Sequence, residues 1–459
     1  MKIRILRICS IGLIALSPML QSCIMPPGGF QKSEPEMTQK QCGKSPVSSR
    51  YRPTKKDIVP SSARVPFGSG KMVYAPGAIR PSDVSTADID RVTRSYYSGW
   101  KARYLKSACG ADRYQITTSA GENNLTVSEA QGYGMILFAL MAGFDPAATE
   151  YFDGMFHFFT EHPSSYHANL MAWSQNVCCQ DDRGQDSAAD GDIDIAYSLL
   201  LADRQWGSDG AINYLEEAKK VIAAIRDKDV SPKADYVFLG DWAKTGDPGY
   251  YDSTRSSDFI LAEFRSFGAA TGDKDWLKLV SSLQRISLQI QRDYSPVSGL
   301  LPDFVSTPVS TPKPAKGGFL ESPNDGAYYY NSCRVPWRLG TDFLVSGDTH
   351  SRALVTRMNR WIIKASGGKP SNIASGYTLK GAPLAGSGYE TMSFIAPFAV
   401  SAMVHEENQQ WLNALWAHLV RTGPEEYYAD TIKLMVMLVV SGNWWSPEKI
   451  PTVSKDTAL

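Results

Sequence analysis

The sequence predicts an all-α fold, a toroidal barrel of paired α-helices. Two observations predict it. Apolar residues recur at helical spacing through most of the chain, and runs apolar on every side alternate with runs apolar on one face only. Long β-type alternation and the spacing of parallel strands are both missing, which argues against an α/β architecture. A dozen or so helices in such an alternation fit one ring of inner helices wrapped by outer ones, with a cleft lined by loops at the inner helices' N-terminal ends, roughly as in other toroidal repeats.

The N-terminus reads as a targeting segment. Lys2, Arg4 and Arg7 precede an apolar stretch, 8–20, that is too short to span a bilayer comfortably. It ends in Leu20-Gln21-Ser22-Cys23, which resembles the lipobox of bacterial lipoproteins apart from Gln21. The expectation is a signal peptide over residues 1–22, lipidation of Cys23, a Pro-, Gly- and Ser-rich tether over residues 23–75, and one folded domain over residues 76–459. The body is then exported and held at the outer face of a membrane through its lipid alone, or secreted if Cys23 stays unmodified. A monomer is expected.

Within the body, helices are expected at 85–104, 128–142, 147–161, 192–205, 211–227, 254–271, 275–291, 334–346, 349–364, 390–404, 409–421 and 425–440. The second is the most informative. Thr126 stands three residues before Glu129, the spacing of a capping box, and everything after Glu129 is small, aromatic or aliphatic. A carboxylate at the mouth of a buried helix is costly unless it caps the helix or serves chemistry.

Bulk composition excludes several functions. The chain has 47 basic and 47 acidic residues and no polybasic run, so nucleic acid is not an expected partner. The seven cysteines match no zinc pattern; in an exported compartment Cys42 or Cys109 could pair with Cys178 or Cys179, a choice the sequence leaves open. No Gly-x-Ser-x-Gly elbow is present and only six His occur, which disfavours esterase and His-based schemes.

Carboxylates collect in two further places. Asp190, Asp192 and Asp194 open a buried helix; one such Asp is an ordinary cap, but three beside each other raise one another's pKa. The calcium reading of this run fails because the loop Gly and distal Glu are absent at their spacings. Glu321 and Asp325 lie in a Pro- and Gly-rich loop that runs into Tyr328, Tyr329, Tyr330, Asn331 and Arg334. Trp173 stands in a fourth stretch, and Tyr427-Tyr428 in a fifth; core packing accounts for many such aromatics, sugar stacking for others. Carboxylates and aromatics at a cleft, without a phosphate or cofactor motif, point to glycoside hydrolysis, which needs one protonated carboxyl and one carboxylate.

Three segments carry a resemblance: Ser128-Glu129-Ala130-Gln131-Gly132-Tyr133-Gly134-Met135, Ala189-Asp190-Gly191-Asp192, and Tyr330-Asn331-Ser332-Cys333-Arg334-Val335-Pro336-Trp337-Arg338. Leu170-Met171-Ala172-Trp173 and Arg255-Ser256-Ser257-Asp258-Phe259 support it. Together they resemble glycoside hydrolase family 8, inverting enzymes that cut β-1,4-linked glucans, xylans or chitosan. The resemblance implies a six-hairpin α/α barrel, no cofactor or metal, and a polysaccharide substrate. It makes Glu129 the general acid and Asp190 the residue that holds the sugar at the cleavage subsite, with its neighbour Asp192 as the fallback for that role. Trp173, Tyr330, Asn331 and Arg334 are expected to bind substrate. Many relatives carry an Asp base where this chain has Asn331. One branch, which includes chitosanases and lichenan-cutting enzymes, takes its base from a Glu in the preceding loop, which makes Glu321 the expected base and Asp325 the fallback. The competing expectation is a surface carbohydrate-binding protein without catalysis, which would follow if the Glu321 loop folded away from Glu129.

Overall fold

The computed structural model describes residues 62–449 except 70, 119–123 and 245–247. Cys23, Cys42, the leader and the tether up to residue 61 lie outside the described residues.

Among the described residues, six inner helices form a closed ring: α2 (Ser128–Met141), α4 (Ala189–Trp206), α7 (Leu261–Thr271), α9 (Val335–Ser346), α11 (Met392–Ala402) and α13 (Tyr427–Ser441). Each packs on the next, and α13 returns to α2. Six outer helices wrap them: α1 (Thr86–Tyr104), α3 (Ala148–Glu161), α5 (Tyr214–Lys228), α8 (Asp275–Asp293), α10 (Thr349–Ser366) and α12 (Gln409–Arg421). A short α6 (Pro248–Tyr251) lies between hairpins. The burial follows the sequence pattern. Every α2 residue except Glu129 is buried, whereas α8 buries Trp276, Leu279, Leu283, Ile286 and Ile290 and leaves Leu277 and Leu288 exposed. Five outer helices pack on the inner helix just before them; α1 packs on α13, so the sixth hairpin joins the two ends of the chain. Buried Asp430 bolts it, accepting hydrogen bonds from the hydroxyls of Tyr96 (2.8 Å) and Tyr104 (2.7 Å) and from Arg103 (2.9 Å).

Three differences from the sequence expectation have physical causes. Residues 254–260 are not helical: Ser253–Arg255 is strand β5 of a small antiparallel sheet with β6 (Phe304–Ser306) and β7 (Lys313–Pro314), and a single tight turn, Ser256–Asp258, follows. The sheet's hydrogen bonds come from residues about fifty positions away, which a local helical pattern does not reveal. Helix α4 begins at Ala189 rather than at residue 192, so Asp190 too lies within its first turn. Part of the expected tether is folded. Residues 64–79 run as a strap beneath the barrel and donate backbone N–H groups to carbonyls at the C-terminal ends of inner helices: Arg64 to Gln205, Phe67 to Ala142, Met72 to Gly442, Ala75 to Leu344 and Ile79 to Met403. The last turn of a helix leaves such carbonyls without intrahelical partners, and the strap supplies them. Trp444 and Trp445, both buried, close the same end.

The inner helices' N-termini share the other end. There α2 and α4 approach closely through two glycines. A Cβ on Gly132 would stand 2.6 Å from Asp194 Cβ, and one on Gly191 would stand 2.7 Å from the Ser128 backbone carbon. Gly191→Ala is therefore expected to push α4 off α2, destabilising the fold by about 1–3 kcal/mol. A thermal melt checks this; an unchanged midpoint contradicts the close approach.

The disulfide Cys109–Cys179 ties the connection between β1 (Leu105–Lys106) and β2 (Gln115–Ile116) to the loop after β4 (Ser174–Asn176), while Cys333 is buried and free. Among the described residues no helix is long and apolar enough to cross a membrane.

Candidate active site

A cleft of about 690 Å³ opens at the N-terminal ends of the inner helices; Glu129, Trp173, Asp186, Asp190, Trp242, Arg255, Glu321, Asn331, Arg334 and Tyr428 are among its lining residues. Four segments deliver the carboxylates and their partners. Strand β3 (Asn124–Val127) pairs with β4, and Ser128 N–H donates to the Trp173 carbonyl at 2.9 Å, which sets Trp173 beside the start of α2. The first turn of α4 carries Asp190. Strand β5 carries Arg255. The loop after β7 carries Glu321 and ends in the turn Ser332–Arg334 that opens α9.

Arg334 organises the site. Its Nη1 donates to Glu129 Oε2 (2.6 Å), Asp190 Oδ2 (3.0 Å) and the Tyr133 hydroxyl (3.2 Å). Its Nη2 donates to Ser257 Oγ (2.9 Å) and Asn331 Oδ1 (3.1 Å), and its Nε to the Asn331 carbonyl (3.4 Å). A guanidinium has five N–H groups, and all are engaged. Arg334 lines the cleft with its donors met by protein groups, and so holds Glu129, Asp190 and Asn331 in place.

Asn331 shows the same pattern. Its carbonyl faces Arg334, and its Nδ2 donates to Glu321 Oε2 at 2.6 Å. An Asp here would set two carboxylates against each other. The amide is the chemical match for a loop Glu: one of its N–H groups holds Glu321, and its side chain lines the cleft.

Glu321 is held at both oxygens: Oε1 accepts from Arg255 Nη2 at 2.7 Å, Oε2 from Asn331. Its side chain is 9% exposed. Asp325, the fallback, is fully buried and folds the loop. It accepts the backbone N–H groups of Leu320 (2.7 Å), Glu321 (3.0 Å) and Ser322 (2.8 Å).

Glu129 is 13% exposed at its side chain. No side chain caps α2, whose N-cap is Val127, so the capping-box expectation fails. Thr126 lies in β3 instead, and the Glu129 carboxyl turns to Arg334 and to the Tyr427 hydroxyl (3.4 Å). Burial pushes the Glu129 carboxyl up to about 7; the Arg334 guanidinium opposes this, and the charges of Asp190 and Asp194 add to it. For Asp190, burial acts in the same direction, but the guanidiniums of Arg334 and Arg255 and its hydrogen bonds outweigh it, and its pKa falls below the usual carboxylate value. Two carboxyls that share one guanidinium nitrogen are thereby driven in opposite directions, one toward the acid and one toward the anion.

Two expected substrate contacts are displaced. Asp192 is fully buried and absent from the cleft wall; its Oδ1 accepts the Met171 N–H at 3.0 Å and so anchors the segment that carries Trp173. Helical geometry turns it away, since residues two apart on a helix do not share a face. Tyr330 also stands behind the wall. Its hydroxyl bonds that of Tyr389 at 2.5 Å, and its carbonyl accepts from Tyr428. Trp173 does line the cleft, its Nε1 tied to the Arg183 carbonyl at 3.2 Å.

Sequence reasoning missed Arg255, Asp186 and Trp242 as cleft residues. Arg255 was inside a recognised segment, but the helix expected there hid the strand that aims it at Glu321. Trp242 lies in a loop turn, Asp241–Lys244, with no local signal beyond being an aromatic between helices. Beneath the cleft a second ionic layer supports the floor: Arg338 forks onto Asp194 (3.0 and 2.7 Å) and reaches Glu263 at 3.4 Å.

Residues 84–442 match the sequence profile of the glycosyl hydrolases family 8. A "Beta-glucanase" of Niallia circulans is 46% identical over 373 residues, covering 81% of this chain and 90% of that one. An "Endoglucanase" of Bacillus sp. (strain KSM-330) is 39% identical over 383 residues, covering 81% and 80%. The solved apo structure of a β-1,3-1,4-glucanase from Paenibacillus sp. X4 superposes with a TM-score of 0.80 at 44% identity, covering 84% of this chain and all of that one.

Proposed function

The chain belongs to glycosyl hydrolase family 8 and is an O-glycosyl hydrolase of the α/α-barrel type; from that premise we propose that it is an inverting endo-β-glucanase whose substrate is a mixed-linkage β-1,3-1,4-glucan such as lichenan. Glu129 is the general acid. It protonates the glycosidic oxygen as the bond to the anomeric carbon breaks. Glu321 is the general base. It takes a proton from a water that attacks the anomeric carbon from the opposite face. The carboxyls of such a pair stand about 6.5–9.5 Å apart to admit that water. Asp190, held as an anion by two guanidiniums, bonds a hydroxyl of the distorted sugar and stabilises positive charge developing on its ring. The ring itself stacks on Trp173.

The observation that carries this reading is the opposed tuning of Glu129 and Asp190 in one cleft with Glu321. Burial raises Asp153 and Asp303 as far; what suits chemistry is the placement of Glu129 in one cleft with Asp190 and Glu321. The substrate class rests on the relatives, among them the β-1,3-1,4-glucanase of Paenibacillus sp. X4 and the beta-glucanase of Niallia circulans.

Reducing-end release on lichenan, carboxymethylcellulose, chitosan and xylan, with the product anomer followed by NMR, tests the reading. Lichenan is expected to be cut fastest and to yield the α-anomer first. A β-anomer first would overturn the inverting mechanism, and faster release from chitosan would overturn the substrate. Export and lipidation at Cys23 belong to the same proposal, resting on the basic n-region, the apolar stretch and the Leu20-Gln21-Ser22-Cys23 motif. Loss of membrane association in Cys23→Ala checks them.

A further inference from the structure

Arg255 stands where it touches both halves of the reaction. Strand register fixes its backbone opposite Phe304 of β6, and its guanidinium lies over the Phe304 ring, 5.3 Å from the centroid. Three carboxylates surround it. Glu321 Oε1 is 2.7 Å from Nη2, Asp258 Oδ2 is 3.7 Å from Nη1, and Asp190 Oδ1 is 3.9 Å from Nη1. Among the described residues, its one hydrogen bond is to Glu321. Its Nε and the neighbouring Asp258 Oδ2 are buried without a hydrogen-bond partner. A guanidinium buried only to hold a fold together would be expected to use more of its five donors, because the desolvation of an ion is offset only when its hydrogen bonds are met. Arg334, a few ångströms away in the same cleft, meets all of its own.

We propose that Arg255 is a positioning residue for Glu321: with Asn331 it clamps the carboxylate at both oxygens, and it stands between that carboxylate and Asp190. The clamp works by geometry. A carboxylate has about four lone-pair sites. Arg255 occupies one on Oε1 and Asn331 one on Oε2, from two separate elements, so the plane of the group is fixed and lone-pair sites on both oxygens remain for water. The cation also separates two anions that would otherwise repel across the space the sugar must enter. Neither effect needs Arg255 to touch the substrate. The inference rests on the assignment of Glu321 as base.

A double-mutant cycle separates this role from a structural one. Arg255→Ala is expected to lower kcat on lichenan by about 10²-fold while KM moves less than about threefold. Arg255→Lys, which restores the charge without the fork, recovers about a tenth of the wild-type rate. Added methylguanidinium raises turnover of Arg255→Ala and leaves Glu321→Gln unchanged. In a Glu321→Gln background, Arg255→Ala lowers kcat by less than about threefold further, because residues acting as one unit are not additive. If Arg255→Ala does not fold, Arg255→Gln takes its place in the cycle. An equal loss in both backgrounds would show that Arg255 acts independently of Glu321 and would overturn the proposal, as would wild-type kcat in Arg255→Ala. Full turnover in Glu321→Gln alone would instead remove the base assignment, and the proposal with it.

Discussion

Glu129→Gln is expected to lower kcat on lichenan by about 10²–10⁴-fold, the usual worth of a placed general acid. The amide is nearly isosteric with the carboxyl and can still accept from Arg334, so folding should survive; Asp190 remains as that guanidinium's countercharge at 3.0 Å. The defect should depend on the leaving group. An aryl glycoside whose phenolate leaves without protonation should recover most of the lost rate, since only departure of a poor leaving group needs the proton. Wild-type activity carries a matching pH signature. Burial, against the opposing Arg334, raises the Glu129 carboxyl to about 7, and the acid works only when protonated. Activity should therefore fall as pH rises through about 7, and that basic limb should be missing from whatever rate Glu129→Gln retains. A basic limb unchanged in the variant would assign it to another group.

Glu321→Gln is expected to cause a loss of similar size, about 10²–10⁴-fold in kcat, but with the opposite dependence. Activated leaving groups should not rescue it, because the missing step is removal of a proton from water. Asn331→Asp is the informative companion. It places a carboxylate where Asn331 Nδ2 now donates to Glu321 at 2.6 Å, removing one arm of the clamp and adding repulsion. If Asn331→Asp in a Glu321→Gln background regained activity, the cleft would accept a base from either position. Activity in Glu321→Gln equal to wild type would contradict the assignment outright.

The barrel was legible because its signal is local and repeated. Helices apolar all round have no solvent face to present, and those with one apolar stripe must cover them, so the alternation alone dictates two concentric layers. Glu129 and the aspartates of α4 stood out in the sequence too, since charges at the mouths of such helices are rare, and the structure brings Glu129 and Asp190 to one cleft. What escaped was decided by long-range pairing. Arg255 points at Glu321 because β5 hydrogen-bonds to β6, a partner brought in from the far side of a hairpin. Arg334 and Asn331 were expected to meet substrate; only the geometry shows that Arg334 also binds Glu129 and Asp190 and that Asn331 binds Glu321. Asp192 and Asp190 differ by two positions, and that rotation alone decides which meets the cleft and which holds Met171. The strap was taken for tether because its sequence has little apolar periodicity. Its contribution is mainly backbone N–H groups, which every residue but proline carries and no side-chain pattern announces.

The strap also decides which end of the barrel stays open. Arg64 and Val65 sit against Gln205 near the end of α4, while the Glu129–Glu321 cleft opens at that helix's opposite tip. The barrel is thus plugged at its back and entered from its front. A long polymer meets only the loops that carry the carboxylates, with no described strap residue across its path.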